Sequence, residues 1–514
     1  MLENGSQDVY EVAPRIIILC FDGTGGHFDG TNTNVVKFYG LLHKNNPNEQ
    51  LCYYQAGVGT YFAPGIVSPL FTWFARMMDE AVAWYLGAHV MGGYKYLMDN
   101  YRPGDKVCLF GFSRGAYTAR ALAGMLTKVG LLPRDNVQQI LFAYKAYART
   151  DKKGIELAAG FKKTFCQDVK VDFMGLWDTV QSTGLLMNRS LPFTDCNASI
   201  RVFRHALSLD EHRGKFRPNL YHRPQPDCTG AGESRSDKAT RLSEQKDAKT
   251  SEKRDSLNSR KATGYGTFSS CSALDEAQSS MITRPNESPQ EPDSVTDVLE
   301  VWFAGCHSDI GGGNVADSVD VSLAQITLRW MVEQVIDSQC GILFDNDALA
   351  EIGITAPSSS VSNDSALGVS VKETLPLNKV NGDSLGVALA PTRDEQSQVV
   401  KADFGQVPGF IPDPSTSPTR APSGSDTERS HAIAPLYDQL QIQKLWWLLE
   451  IIPLPSTWQD GNGAWHKEWS IHLGKARVIP YQQPKFHRTV KERMDNKLFK
   501  YTPRAIYDHN AIFV

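Results

Sequence analysis

Two runs near the start of the chain are apolar without alternation, Ile16 to Phe21 (IIILCF) and Val107 to Phe110 (VCLF). A strand with one wet face alternates apolar and polar residues, so uninterrupted runs of this length predict strands covered on both faces, as in a parallel sheet. Leu51 to Tyr54, Val169 to Trp177 and Leu299 to Ala304 read the same way. Between them the period lengthens. Phe71 to Tyr101 is predicted helical, and so is the stretch from Arg114, where Ala116, Ala119, Leu122, Ala123 and Leu126 recur at helical spacing. Ile200 to Leu209 also reads as a helix, as does Pro435 to Leu454 with its Trp446-Trp447 pair. Strands alternating with helices predict an α/β fold: a mostly parallel sheet with helices on both faces.

Two segments break the pattern. Gln225 to Ser294 is rich in Ser, Lys, Arg, Asp and Glu, and Ala356 to Ser430 in Ser, Pro, Asp and Gly. Neither has enough apolar surface to offset its ordering entropy, so both read as disordered insertions. The expected organisation is an N-terminal tail over 1–14, a catalytic-type domain split into 15–224 and 295–355 around the first insertion, the second insertion over 356–430, and a Trp-rich part over 431–514. Its tryptophans, including Trp458, Trp465 and Trp469, are expected to pack on the domain.

Composition narrows the class. Of 514 residues, 41% are hydrophobic and 10% aromatic, which describes a globular chain. The net charge of -4 leaves no basic footprint and disfavours nucleic acid as a partner. The nine cysteines show no C-x-x-C pair and suit reduced thiols. The first residues lack a secretory pattern, and Arg76, Asp79 and Glu80 interrupt the one long apolar stretch, so a cytoplasmic protein is expected.

The polar residues of interest fall at strand exits, where open α/β sheets place their ligand sites. Gly111-Phe112-Ser113-Arg114-Gly115 fits G-x-S-x-G between a strand and a helix, a turn that pushes a serine oxygen outward at a helix N-terminus. Such a serine needs a base and an acid that orients it. His307, in GCHSDIGGG directly after a strand, is the leading base, with His487 the weaker candidate and His205 assigned to a helix. Asp178, at the end of MGLWDTV, is the leading acid, and Asp309 its rival. Asp22 opens the loop DGTGG and is expected to order it. The N–H of Arg114, with that of Thr24 or Gly25, would form the oxyanion hole. The loop has neither the spacing nor the Lys-Ser of a phosphate cradle, which excludes an NTPase. A divalent metal gathered by Asp22, Asp178, His307 and Asp309 is the minor alternative; the serine reading needs no metal or cofactor.

The blocks IIILCFDGTGG with TNTNVVKFYG, YKYLMDNYRPGDKVCLFGFSRGAYTARALAGML, VDFMGLWDTV, RHALSLDEHRGKF and VWFAGCHSDIGGG together resemble the α/β-hydrolase domain first known as a domain of unknown function and later recognised as the catalytic domain of type VI secretion lipase effectors of the first class. The resemblance runs from about Ile16 to Phe344. It implies an α/β-hydrolase fold and a serine hydrolase acting on phospholipid or related acyl esters. It also carries the family's nucleophile, acid and base onto Ser113, Asp178 and His307. The expected partner is an acyl-ester lipid, with peripheral contact to a membrane surface. The competing function class is a non-catalytic hydrolase-fold scaffold regulated through its Ser-rich insertions.

Overall fold

A computed structural model describes residues 13–24, 26–57, 86–180, 191–222, 295–354, 424–460, 465–497 and 500–514. The first insertion, residues 356–423 of the second, and the stretch with Trp73, Phe74, Met77, Met78, Trp84 and Tyr85, a candidate lid over the site, lie outside the described residues. Residues 424–430, expected to be disordered, belong instead to the helix Gly424–Ala432.

The continuous apolar runs are strands. β1 (Ile16–Phe21), β2 (Gln50–Gln55), β3 (Lys106–Phe112), β4 (Val171–Trp177), β5 (Ile200–Ser208) and β6 (Asp297–Phe303) join β9 (Lys485–Phe486) and β10 (Ile512–Phe513) in one sheet of order β10-β9-β6-β5-β4-β3-β1-β2. Every neighbouring pair in it is parallel. β1 is buried along its whole length, which is why it carries no polar residue. A separate antiparallel hairpin pairs β7 (Leu454–Gln459) with β8 (Trp465–Ser470).

Helices supply the crossovers: α1 (Asn34–Leu41), α2 over 86–100, α3 (Arg114–Val129), α4 (Ile140–Ala148) and α5 (Lys152–Phe165). Val90, Tyr94, Leu122, Met125, Leu126, Tyr147 and Phe161 from these helices close over Leu19, Leu109 and Met174 of the sheet in a single apolar cluster. Asn34 of α1 ties the other side. Its amide donates to the carbonyls of Ile310 and Ala324, each at 2.9 Å.

Four expectations are corrected here. Ile200 to Leu209 is a strand, β5, held between β4 and β6. Its core positions Val202, Phe203, Ala206 and Leu207 are buried on both faces, and a doubly buried strand has no period of 2 to show. Pro435 to Leu454 holds only the short helices Gln439–Ile442 and Trp447–Glu450 with a 3-10 turn between them. The tryptophans of this part are not all core, since Trp447, Trp458 and Trp469 are exposed. Among the cysteines, Cys196 is disulfide-bonded, while Cys20, Cys52, Cys108, Cys166, Cys306 and Cys340 are free.

Candidate active site

From β1 the chain steps outward to β2, then back past β1 to β3, so the direction of winding reverses between β1 and β3. The carboxyl ends of strands at such a reversal open onto a crevice. Ser113 sits there, at the end of β3 and directly before α3.

Ser113 has φ 58° and ψ -122°, a conformation that non-glycine residues adopt only when their surroundings enforce it. Its neighbours do so. A Cβ on Gly111 would lie 2.6 Å from the Gly115 carbonyl oxygen, and one on Gly115 would lie 2.2 Å from the Phe21 carbonyl oxygen. Both flanking glycines are therefore required for the helix to start against β1. The Ser113 N–H donates to the Trp177 carbonyl at 3.0 Å, extending the β3–β4 ladder to the turn itself.

His307 opens the five-residue helix His307–Gly311 after β6. Its Nε2 lies 2.8 Å from Ser113 Oγ, and its Nδ1 lies 2.6 Å from Asp178 Oδ2. With Nδ1–H donating to the carboxylate, Nε2 accepts the serine O–H. Phe112 and Phe216 flank the imidazole, with ring centroids 4.7 and 4.8 Å away, and fix its plane. All three residues are buried, Asp178 completely. Burial lowers the His307 pKa below the ordinary histidine value against the opposing pull of Asp178, so the resting ring is neutral. Burial works to raise the Asp178 pKa, but the Arg477 guanidinium and the His307 ring outweigh it and hold the carboxyl well below its usual range.

Arg477 did not figure in the sequence reading. It donates through Nη1 to Asp178 Oδ1 at 2.6 Å and through Nη2 to Oδ2 at 2.9 Å. The Ser208 N–H adds a third bond to Oδ1 at 3.0 Å. Glu211 was also missed. It accepts the His307 N–H at 3.2 Å and is paired to Arg213 at 2.8 Å. Burial would raise its pKa, yet Arg213 brings it to about 2. The block RHALSLDEHRGKF contained this pair, but nothing local marked Arg477, which lies far along the chain.

The other expected residues fall as follows. Asp22 accepts from the Gly23 N–H at 2.7 Å, Thr33 Oγ1 at 2.8 Å and Tyr54 Oη at 2.8 Å, and so orders the glycine loop. That loop borders the serine, since a Cβ on Gly23 would lie 3.4 Å from Ser113 Cβ. Thr24 belongs to it, and Gly25 lies outside the described residues. Asp309 does not reach the His307 ring. Its carboxylate accepts from the Cys306 N–H at 2.8 Å and the Tyr437 N–H at 3.0 Å. His487 caps the helix Arg488–Asp495 and stacks on Phe303, away from Ser113. His205, expected on a helix, is on β5, bonded to Glu300 at 3.0 Å. Asp22, Asp178, His307 and Asp309 do not converge as metal ligands. Among the described residues, the group close enough to hold an ion is Cys108, Asp172 and Cys340.

The family model described as "T6SS, Phospholipase effector Tle1-like, catalytic domain" matches residues 15–334. The chain belongs to that family. The family is one of Tle1-like phospholipase effectors. The chain is 28% identical to the uncharacterized protein YEL023C of Saccharomyces cerevisiae, over 90% of this chain and 76% of the relative. Solved structures with some likeness include an uncharacterized protein from Pseudomonas aeruginosa, at 18% identity and TM-score 0.31 over 68% of this chain and 48% of that one. Another is the Tle1 effector bound to the VgrG spike of a type 6 secretion system, at 16% identity and TM-score 0.24 over 40% and 47%. The chain spans about half the length of these solved relatives. No helix among the described residues is long and apolar enough to cross a membrane.

Proposed function

We propose that the protein is a serine hydrolase that cleaves the carboxylic esters of phospholipids or similar lipids through Ser113, His307 and Asp178. The observation that carries the proposal is the unbroken chain of hydrogen bonds from Ser113 Oγ to His307 Nε2 and from Nδ1 to Asp178, ending on Arg477.

In this mechanism Ser113 Oγ attacks the acyl carbonyl carbon while His307 Nε2 takes the hydroxyl proton. Asp178 holds the tautomer that keeps Nε2 open and stabilises the imidazolium that forms. The tetrahedral oxyanion is met by the N–H of Arg114, unspent at the start of α3, and by that of Thr24 or Gly25 in the loop fixed by Asp22. His307 then returns its proton to the leaving alcohol, leaving an acyl group on Ser113. A water molecule, deprotonated by the same nitrogen, attacks the acyl carbon, and the acyl–Oγ bond breaks as His307 returns that proton to Ser113 Oγ, which frees the carboxylic acid. The strained backbone of Ser113 and the aromatic clamp on His307 mean that little reorganises during these steps.

The test is labelling of the purified full chain by a fluorophosphonate probe, with turnover of a phospholipid followed in parallel. Labelling of wild type that is lost in both Ser113→Ala and His307→Ala is the expected result, with turnover down by several orders of magnitude in each. Full turnover by Ser113→Ala would overturn the proposal.

A further inference from the structure

Helix α3 carries two arginines with opposite surroundings. Arg120 is buried and donates to the carbonyls of Thr194, Asp195, Asn219 and Leu220. Arg114, the first residue of the helix and the chain neighbour of Ser113, is only partly exposed, and its guanidinium has no hydrogen-bond or ion-pair partner among the described residues. Its carbonyl accepts from Thr118 Oγ1 at 3.1 Å.

The carboxylates at this end of the sheet are already taken. Asp22 is bonded by Gly23, Thr33 and Tyr54, and Asp178 by His307, Arg477 and Ser208. Glu211 is held by Arg213. Desolvation brings the Arg114 guanidinium down to about 10, the mark of a cation withdrawn from water without a counter-charge. The helix end adds to this positive field. Ser113 makes no side-chain capping bond there, and the N-terminus of a helix this long favours an anion.

A neutral acyl ester gives such a cation nothing to bind, because the oxyanion that forms in the reaction is met by backbone N–H groups. A glycerophospholipid does, since its phosphodiester sits on the same glycerol as the scissile ester, a few bonds away. Neighbouring Cα atoms are about 3.8 Å apart, so a side chain next in the chain to the nucleophile reaches that distance. The planar guanidinium fork matches two phosphate oxygens. Resting on the reading of Ser113 as nucleophile, we propose that the Arg114 side chain is the specificity group that binds the phosphodiester of a glycerophospholipid substrate.

The test is equilibrium binding, which requires no turnover. The full chain is titrated with a dibutyl diether of glycerophosphocholine as monomer, with the matching dibutyl diether of glycerol, and with inorganic phosphate. Wild type is expected to prefer the phosphate-bearing diether by about 10- to 100-fold, the factor one charge-assisted hydrogen-bonded pair supplies. Arg114→Gln removes that preference and Arg114→Lys, which keeps the charge but not the fork, retains part of it. Thermal melting of each variant separates a lost site from a lost fold, and Arg114→Lys carries the comparison should Arg114→Gln not fold. The proposal is overturned if wild type shows no preference, if the preference survives in folded Arg114→Gln, or if inorganic phosphate binds as tightly as the diether phospholipid. Failure of the nucleophile reading shows separately, as absent fluorophosphonate labelling.

Discussion

Two buried histidine–aspartate pairs are each fastened by an arginine from the last part of the chain. In one, His307 meets Asp178 at 2.6 Å and Arg477 holds the carboxylate. In the other, His212 meets Asp438 at 2.9 Å and Arg504 holds the carboxylate, also at 2.9 Å. The difference lies at the second ring nitrogen. That of His212 faces the Gly474 carbonyl at 3.1 Å, a fixed acceptor that pins the ring between two segments of backbone. That of His307 faces a hydroxyl on a strained turn. Under the proposed mechanism the same acid–imidazole chemistry is a clamp in one place and a proton carrier in the other, and the third partner distinguishes them. His205 is pinned in a related way, between Glu300 at 3.0 Å and the Thr179 N–H, which donates to its second nitrogen at 3.0 Å.

The sharpest way to break this comparison is to alter the two aspartates in turn. Asp178→Asn should lower kcat by about 10⁴, because the amide no longer selects the tautomer with Nε2 open. Steady-state kinetics on a phospholipid measures this. A fall of less than tenfold would place the orienting acid elsewhere.

Removing the arginine of the active pair comes next. Arg477→Met leaves Asp178 with a buried charge held only by His307 and the Ser208 N–H, and should cost about 3 to 5 kcal/mol of stability in urea unfolding. The pH profile sharpens the same point. His307 must be neutral to act as a base, and burial lowers its pKa, so kcat/KM should rise with pH through an acid limb lying below about 6.5 and then level off. An acid limb above that value would mean that the ring is not desolvated as the geometry implies.

What the sequence disclosed follows from where its signals are local. β1, β3 and β4 are doubly buried, so their apolar runs were unmistakable, and the residues that end them were legible as Asp22, Ser113 and Asp178. β5 was misread because Ile200, Val202, Phe203, Ala206, Leu207 and Leu209 satisfy helical and doubly buried patterns alike. Its interior charge gave no warning either, since the side-chain partners of Arg204 come from afar, Gln334 at 2.9 Å and Asp297 at 2.6 Å. Arg477 was illegible for the same reason. Its partner Asp178 lies in another element, and no periodicity links a loop arginine to a carboxylate across the fold.

Asp309 lies between the two pairs, two residues beyond His307 and bonded to the N–H of Tyr437, the neighbour of Asp438. Burial pushes its carboxyl up to about 7. A folded-state pKa above the unfolded value means that the folded protein holds the extra proton between about pH 4 and 7. Stability from this group is therefore full below that window and is lost as pH rises through it. Asp309→Asn keeps an acceptor for both N–H groups and does not titrate, so its stability relative to wild type should improve from pH 4.5 to pH 8, by at most about 4 kcal/mol. Urea unfolding at the two pH values reads the difference. A constant difference would show that the carboxylate is ionised throughout.

The smallest effect on rate belongs to the clamp. Asp438→Asn weakens the bond to His212 and leaves Arg504 without its full counter-charge, at a cost of about 1 to 3 kcal/mol in stability. Yet Asp438 touches none of Ser113, His307 or Asp178, so kcat per folded molecule should stay within about twofold, the additive behaviour of sites that share no partner. Melting and active-site titration with the fluorophosphonate separate the two quantities. A large loss of kcat at normal occupancy would show that the clamp and the carrier are one network, joined through Asp309 and Tyr437, and the division between them would have to be redrawn there.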